Sequence, residues 1–394
     1  VLKVENERQV QKVIREARKR NLSITFRAAG TSLSGQSITD SILVRLGQSW
    51  SKYKIFDNAE KIQVQPGMVG GYANVLLAEF DRKIGPDPAS IDCAKIGGIL
   101  ANNASGMCCG VEQNSYQTLD SIRMILADGT ILDTSDEKSK ADFKRSHRDF
   151  VDQIMMLHKK VLKDPELAER IRYKFKIKNT TGYSLDALVD FNDPFDIMSH
   201  LMIGSEGTLG FISDVVYKTV IDHPFKASAL IFFKDMYDAC EAIPILRGDL
   251  TVDAAELIDR AGLASVENKQ GMPDYLKDLP PATTALLIET RASSGENLSR
   301  QIEEITTALS HFTTVHPITF TDVPEEFELL WKIRKGLFPA VGAVRQIGTT
   351  VIIEDVAFPT EHLAKAAIDL QELFIKYRYN EAIIFGHALE GNLH

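Results

Sequence analysis

At 394 residues, 44% of them apolar and 25% charged, the chain has the make-up of an ordinary globular protein, and it is long for a single domain. A net charge of −9 argues against nonspecific nucleic-acid binding, which needs a basic face, although a local Arg or Lys cluster can still hold an anionic substrate. Cys93, Cys108, Cys109 and Cys240 form no CxxC pair, which disfavours a zinc ribbon, an iron–sulfur cluster within this chain or a disulfide scaffold, and suits the reducing cytoplasm.

Taken in order, the N-terminal segment is no signal peptide but an amphipathic helix with Val10, Val13 and Ile14 on one face. Residues 22–27 and 41–46 read as strands flanking a loop, 61–67 as a strand ending in a Pro-Gly turn, and 70–80 as a helix with a glycine-rich entry. Residues 122–134 are a hairpin around Asp128-Gly129, and 142–164 one charged amphipathic helix. From about residue 220 the pattern changes: strand 227–235, helix 236–248, strand then helix over 251–267, strand 283–292, helix 294–312 and a helical stretch over 325–338. That order suggests a second α+β domain with an antiparallel sheet. No run is long and apolar enough to span a membrane. The chain starts without Met and stops at His394 inside a glycine-bounded motif, which points to a piece of something longer.

The loop "RAAGTSLSGQS" (27–37) nearly spells a phosphate-binding P-loop, but Gln36 stands where the lysine belongs and a strand follows where a helix should. A P-loop phosphotransferase is therefore disfavoured. Two readings stay open: a polar hairpin loop, or a backbone nest in which Gly30 and Gly35 let the chain approach a pyrophosphate while Thr31, Ser32 and Ser34 add hydroxyls. A second cluster spans 85–110. Pro86 and Pro88 hold an extended entry, Gly97–Gly98 open a short helix, Asn102, Asn103 and Ser105 are compact polar groups, and Gly106 and Gly110 allow close backbone approach to a flat ring. A third, "HLMIGSEGTLGFIS" (200–213), sets Glu206 between Gly204, Gly207 and Gly210, a carboxylate able to accept from a ribose or an amide. Three such clusters suggest a long ligand such as a dinucleotide, while the strand–GxGxxG–helix signature is missing.

These motifs, with "KNTTGYSLDAL" (178–188), "LWKIRKGLF" (330–338) and "FGHALEGNLH" (385–394), together resemble the PCMH-type FAD-linked oxidases of the vanillyl-alcohol-oxidase family. Within it they resemble the D-lactate, glycolate and D-2-hydroxyglutarate dehydrogenase branch, and the large bacterial members with a C-terminal iron–sulfur half in particular. The resemblance implies an α+β chain: a PCMH-type FAD-binding domain of two α+β subdomains over 1–220, then a cap domain over 221–394, truncated at its end, with an antiparallel sheet flanked by helices. It implies that the opening loop (Arg27, Ala29, Gly30, Thr31, Ser32, Leu33, Ser34, Gly35, Gln36) wraps the FAD pyrophosphate. It implies that Pro86, Pro88, Ser90, Gly97, Gly98, Asn102, Asn103, Ser105, Gly106 and Gly110 line flavin and pyrophosphate, and that Glu206, Gly207, Gly210 and Ile212 hold the adenosine side. Asn392 joins the cofactor set on the same ground. The opening loop has no His for a covalent flavin link, so the FAD is expected to be noncovalent.

A 2-hydroxy acid needs a cation for its carboxylate and a base for its hydroxyl proton. By its place in a Trp-x-x-Arg motif, Arg334 is the expected carboxylate holder, with Lys178 and Asn179 as weaker candidates. His387 and His394 are seven residues apart, and a Gly391–Asn392 turn can fold the chain so that the imidazoles converge. Imidazole suits a general base or a Zn²⁺ or Mn²⁺ ligand; the resemblance implies the metal, with a further ligand from later in the chain. Leu389 stands where many relatives have Gly, and Ile353 stands where a lysine recognises a distal carboxylate in the D-2-hydroxyglutarate type, which leaves that recognition open. The expected function is oxidation of D-2-hydroxyglutarate or D-lactate, with electrons passing to an iron–sulfur domain, a flavoprotein or a quinone. The protein would be cytoplasmic or peripheral to the membrane. The alternative is an FAD-binding electron-transfer subunit without substrate oxidation of its own.

Overall fold

The computed structural model describes residues 1–32, 35–180, 182–337, 355–380 and 382–394. Leu33, Ser34 and Ile353 fall outside them. The chain divides into two compact units, Val1–Asp222 and His223–His394.

The first unit carries two sheets. The smaller is all parallel, with Ile42–Leu46 between Leu2–Val4 and Ile24–Arg27. Helix Glu7–Lys19 covers it, its N-terminus capped by the Asn6 side chain on the Gln9 N–H, and buries Val10, Ile14 and Ala17. Their spacing keeps them on one helix face, where they pack with Val4, Val44, Trp50 and Phe211. The parallel register excludes a hairpin between residues 27 and 42, because two strands running the same way need a crossover.

The larger sheet is antiparallel, in the order Tyr53–Phe56, Lys61–Val64, Gly210–Ile221, Leu119–Leu126, Ile131–Asp133, with Arg82–Ile84 also pairing with Gly210–Ile221. The hairpin expected over 122–134 forms around Gly129, at φ +88°. Helices Gly70–Leu77, Ile96–Asn102 and Pro194–Met202 contribute to its core with Ile62, Met68, Ile99, Leu100 and Tyr217. The single helix expected over 142–164 is two, Glu137–Ser146 and Arg148–Leu162. His147 breaks it at φ −126°, ψ 37°, where its ring stacks on Phe143 and its Nε2 lies 2.8 Å from Asp128 Oδ2. No Gly or Pro marks that break, so local sequence does not show it.

The second unit is built on one antiparallel sheet, ordered Phe225–Phe233, Thr284–Ala292, Ala254–Ile258, Phe385–His387. Helices Met236–Leu246, Gly295–Leu309 and Leu363–Tyr377 share one apolar core with it; helices Arg260–Val266 and Pro324–Lys335 share another. Between two cores, Ala254–Ile258 is buried at all five positions, as expected of a strand covered on both faces. The acid within it, Glu256, is fully buried.

Candidate functional site

The three glycine clusters meet in the first unit. Glu206 is the meeting point: its Oε1 accepts from Asn102 Nδ2 at 2.7 Å, and the Gln36 side chain is a second donor to the carboxylate. One residue from each cluster is thereby tied together, and the Gln36 that replaces the P-loop lysine has a partner of its own. Burial pushes the Glu206 carboxyl up; the bonds from Asn102 and Gln36 pull it back without cancelling the rise. Backbone contacts close the same junction, with the Glu206 N–H on the Ala101 carbonyl at 2.8 Å and the Gly204 N–H on Leu100 at 3.0 Å. Glu206 itself sits at φ +52°, followed by Gly207 at +73°. That is a left-handed pair that turns successive N–H groups to one side.

The two glycines of the opening loop hold the left-handed backbone that an anion-binding nest uses. Gly30 and Gly35 lie at φ +81° and +84°, and Thr31, Ser32, Gly35 and Gln36 are exposed. A Cβ on Gly30 would overlap the Arg27 side chain, which folds back over that glycine, next in the chain to Ala29. The ends of the clusters are in contact range: a Cβ on Gly98 would stand 3.7 Å from Ala28, and one on Gly207 3.8 Å from the Phe26 ring.

Other expected cofactor residues carry the frame of this cradle. A Cβ on Gly106 would overlap the Asp87 carbonyl, and one on Gly97 would reach within 2.7 Å of Pro66. Gly210 faces the Ile125 carbonyl across the strand pair, and the Ile212 side chain is in the core. Asn103 ends its helix at φ +52° and accepts from the Tyr116 N–H at 3.1 Å. Pro86 and Pro88 are buried; Ser90 opens a turn whose carbonyl takes the Cys93 and Ala94 N–H groups; Ser105 and Gly110 are half-buried in the loop that follows. Sequence reading missed Asp87, between the two prolines, whose carboxylate accepts from the N–H groups of Gly106, Cys108 and Cys109 at 2.9–3.1 Å. An acid enclosed as Pro-Asp-Pro, unable to join a helix, was the available signal. Lys178 and Asn179 are half-buried in the segment before Tyr183, whose hydroxyl meets Thr208 Oγ1 at 2.9 Å.

The expected substrate residues gather in the second unit around an acid that sequence reading missed. Glu256 Oε2 accepts from Arg334 Nε at 2.6 Å and Oε1 from His387 Nδ1 at 2.7 Å. Burial alone would raise this carboxyl; the charges and hydrogen bonds of His387 and Arg334 outweigh it and hold the pKa below the ordinary range. Arg334 is only 6% exposed and its guanidinium lies 4.7 Å from the centre of the Phe385 ring. Removing either member of such a pair strands a buried charge, at about 3–5 kcal/mol.

Trp331, one helical turn before Arg334, is fixed by a second buried acid: its indole N–H donates to Glu289 at 2.6 Å. Helix Pro324–Lys335 is thus pinned to two adjacent strands through two carboxylates. Gly391, at φ +63°, turns the chain so that the His387 and His394 rings stand 5.2 Å apart and perpendicular. His394 Nδ1 lies 3.2 Å from Asp355, and Asn392 donates to Asp355 and to the Val356 carbonyl. Asn392 therefore belongs to the histidine cluster of the second unit. Among the described residues no group of three His, Cys, Asp or Glu side chains is placed to hold a metal ion, and no described helix is long and apolar enough to cross a membrane.

Comparison with known proteins decides the family. Residues 1–135 match the FAD binding domain and residues 223–394 the C-terminal domain of the FAD linked oxidases. The chain belongs to the FAD-linked oxidase family. It is 22% identical over 400 residues to the glycolate oxidase subunit GlcD of Bacillus subtilis, spanning all of this chain and 72% of that protein. It is 24% identical over 398 residues to the D-2-hydroxyglutarate dehydrogenase of Pantoea ananatis and 23% over 395 to the mitochondrial D-lactate dehydrogenase [cytochrome] 1 of Saccharomyces cerevisiae. It spans 96% and 98% of itself in those two matches but only 38% and 57% of the relatives. A solved structure of alkyldihydroxyacetonephosphate synthase shares the fold, with a TM-score of 0.65 and 15% identity over 99% of this chain and 68% of that one. As an FAD-linked oxidase, the chain carries its FAD-binding domain in the first unit.

Proposed function

We propose that this FAD-linked oxidase chain oxidises a D-2-hydroxy acid, D-lactate or D-2-hydroxyglutarate, to the 2-oxo acid, and that the chain boundary near residue 222 separates its cofactor and substrate domains. The observation that carries the reading is the shared carboxylate of Glu256, which orients a cation and an imidazole together. A pure electron carrier needs neither.

In this reading Arg334 binds the substrate carboxylate, its Nε held on Glu256 so that the terminal amino groups set the direction of the fork. His387 donates Nδ1–H to Glu256, which leaves Nε2 as the nitrogen that takes the hydroxyl proton. His394 has its Nδ1 3.2 Å from an Asp355 carboxylate oxygen. Bound FAD supplies the two-electron acceptor at flavin N5. The cradle of Gly30, Gly35, Asn102, Glu206 and Gly207 holds it noncovalently, and electrons pass on to an iron–sulfur, flavoprotein or quinone partner. In a second reading, which replaces the base role of these nitrogens, the two Nε2 atoms ligate Zn²⁺ or Mn²⁺; a histidine bonded to a carboxylate suits that role.

The test is anaerobic addition of D-lactate, D-2-hydroxyglutarate or glycolate to the FAD-loaded chain. Loss of the visible flavin absorbance with one of them is expected. Arg334→Ala should keep its flavin and stay oxidised under the same conditions; a variant that is reduced like wild type removes Arg334 from the site. A flavin that none of the three acids reduces rules out the reading.

A further inference from the structure

One short segment of the first unit breaks with the acidic character of the chain. Over residues 170–178 every second residue is Arg or Lys, five cations with no acid among them, in a protein of net charge −9. The first three lie on helix Pro165–Lys174 and the last two beyond its end. Ala168 and Ile171 are buried, and Phe175 packs in the same core as Ile99, Leu100 and Met202. That core also seats helix Ile96–Asn102 of the cradle. Residues three and four apart share a helix face, so Arg170, Tyr173 and Lys174 lie together on the outer one. Tyr173 is 54% exposed, and Arg170, Arg172, Lys174 and Lys176 are exposed around it. Arg172 has Glu169 at 3.8 Å; Arg170, Lys174 and Lys176 have no ion pair among the described residues. Cations in a last helical turn complement the helix dipole, which accounts for Arg172 and Lys174. It does not account for Arg170 before that turn or Lys176 after it. The run leads straight to the cradle. Lys178 stands four residues before Gly182, a length of chain that reaches at most about 14 Å, and a Cβ on Gly204 would stand 3.6 Å from the Gly182 carbonyl.

We propose that this outer face is the docking surface for an acidic electron-accepting protein, a role that rests on the passage of flavin electrons to a partner proposed above. Charge complementarity calls for an anionic occupant, and opposed charges both speed its encounter and orient it against the unit that holds the flavin. An exposed Tyr flanked by Arg is the mixture that anchors protein interfaces. Glu166 and Glu169 are exposed on the same helix face. A uniformly anionic lipid surface meets them with like charge, whereas a protein can set its acids opposite the cations alone.

The experiment compares native cytochrome c, which is basic, with fully succinylated cytochrome c, the same haem protein made acidic. Each is mixed anaerobically at low salt with the FAD-loaded chain, its flavin reduced beforehand by one equivalent of dithionite, so that no hydroxy acid is needed. One reduced flavin gives one electron to each of two ferric haems and releases its protons to solvent. Reduction of the succinylated form is expected to be about tenfold or more faster, and to lose that margin as salt is raised. The margin is also expected to vanish at low salt in the triple variant Arg170→Glu, Lys174→Glu, Lys176→Glu, with binding of succinylated cytochrome c to the oxidised chain weakened alongside. Reduction of a neutral quinone should stay at the wild-type rate in that variant; the corresponding triple Gln variant carries the test if charge reversal prevents folding. Equal rates with the two cytochromes, none with either, a faster native form or a margin kept in the variant overturns the proposal. So does self-association, or co-sedimentation with phosphatidylserine vesicles, that the variant abolishes, since it gives the face to a second copy or to lipid. A flavin that no hydroxy acid reduces strikes the substrate reading alone, and the comparison of cytochromes still decides this one.

Discussion

Two carboxylates, half-buried Glu206 and fully buried Glu256, organise the two units at the scale of single residues. Glu206 joins side chains 104 residues apart in sequence, and Glu256 joins partners 78 and 131 residues away. Replacing Glu206 by Ala leaves Asn102 and Gln36 without their acceptor and unties the three glycine clusters. The dissociation constant of FAD should rise about tenfold or more, read by equilibrium titration of the apoprotein. An unchanged constant would mean that the clusters are held by backbone alone. Another buried acid, Asp186, has an Oδ1 with no hydrogen-bond partner among the described residues, and burial, with the nearby Asp190 charge, pushes its carboxyl up to about 7. Asp190 accepts from Tyr116, and the His200 ring lies 4.8 Å from Tyr116. A pKa raised on folding means that Asp186 contributes stability in acid and loses it as the pH climbs from the unfolded value toward 7. Asp186→Asn should therefore melt roughly 2–4 °C higher than wild type at pH 8 and show a smaller gain at pH 5, measured by thermal unfolding at both. An equal gain at both would tie the effect to something other than ionisation.

Elements were legible where local chemistry speaks. The amphipathic spacing of Val10, Val13 and Ile14, the Asp128-Gly129 turn and the strand–loop–strand around residues 27–42 all stand in the sequence as they stand in the fold. What stays hidden there is pairing over distance. The parallel run of Ile24–Arg27 beside Ile42–Leu46 is decided by a third strand, Leu2–Val4, and the break at His147 by Asp128 on another element. The glycine clusters and the histidine pair could be named from motifs, whereas Asp87, Glu256 and Glu289 have no local signature beyond an acid among apolar neighbours or prolines. The turn at Gly391 lies on the legible side and carries a prediction. A Cβ there would overlap the Phe358 carbonyl, at a φ that side chains rarely adopt. Gly391→Ala should leave FAD bound while abolishing reduction by hydroxy acid, followed as flavin content and anaerobic absorbance. Full reduction in that variant would show that the His387–His394 approach is dispensable.

For the molecule as a whole, two units with separate cores divide the chemistry: a cradle of glycine loops knotted at Glu206 in one, and a cation and imidazole sharing Glu256 in the other. A net charge of −9 leaves the capture of an anionic acid to local cations, the part that the proposed function gives to Arg334. On the proposed function the bond broken is the substrate's Cα–H, with the hydroxyl proton taken by imidazole. Stopped-flow reduction of the FAD-loaded chain by D-lactate, compared with D-lactate deuterated at Cα and with L-lactate, addresses that bond directly. Rapid reduction by D-lactate, slower reduction by the deuterated acid and none by the L enantiomer are expected. Equal rates for all three, or a flavin that stays oxidised with D-lactate, D-2-hydroxyglutarate and glycolate alike, would contradict the proposed function.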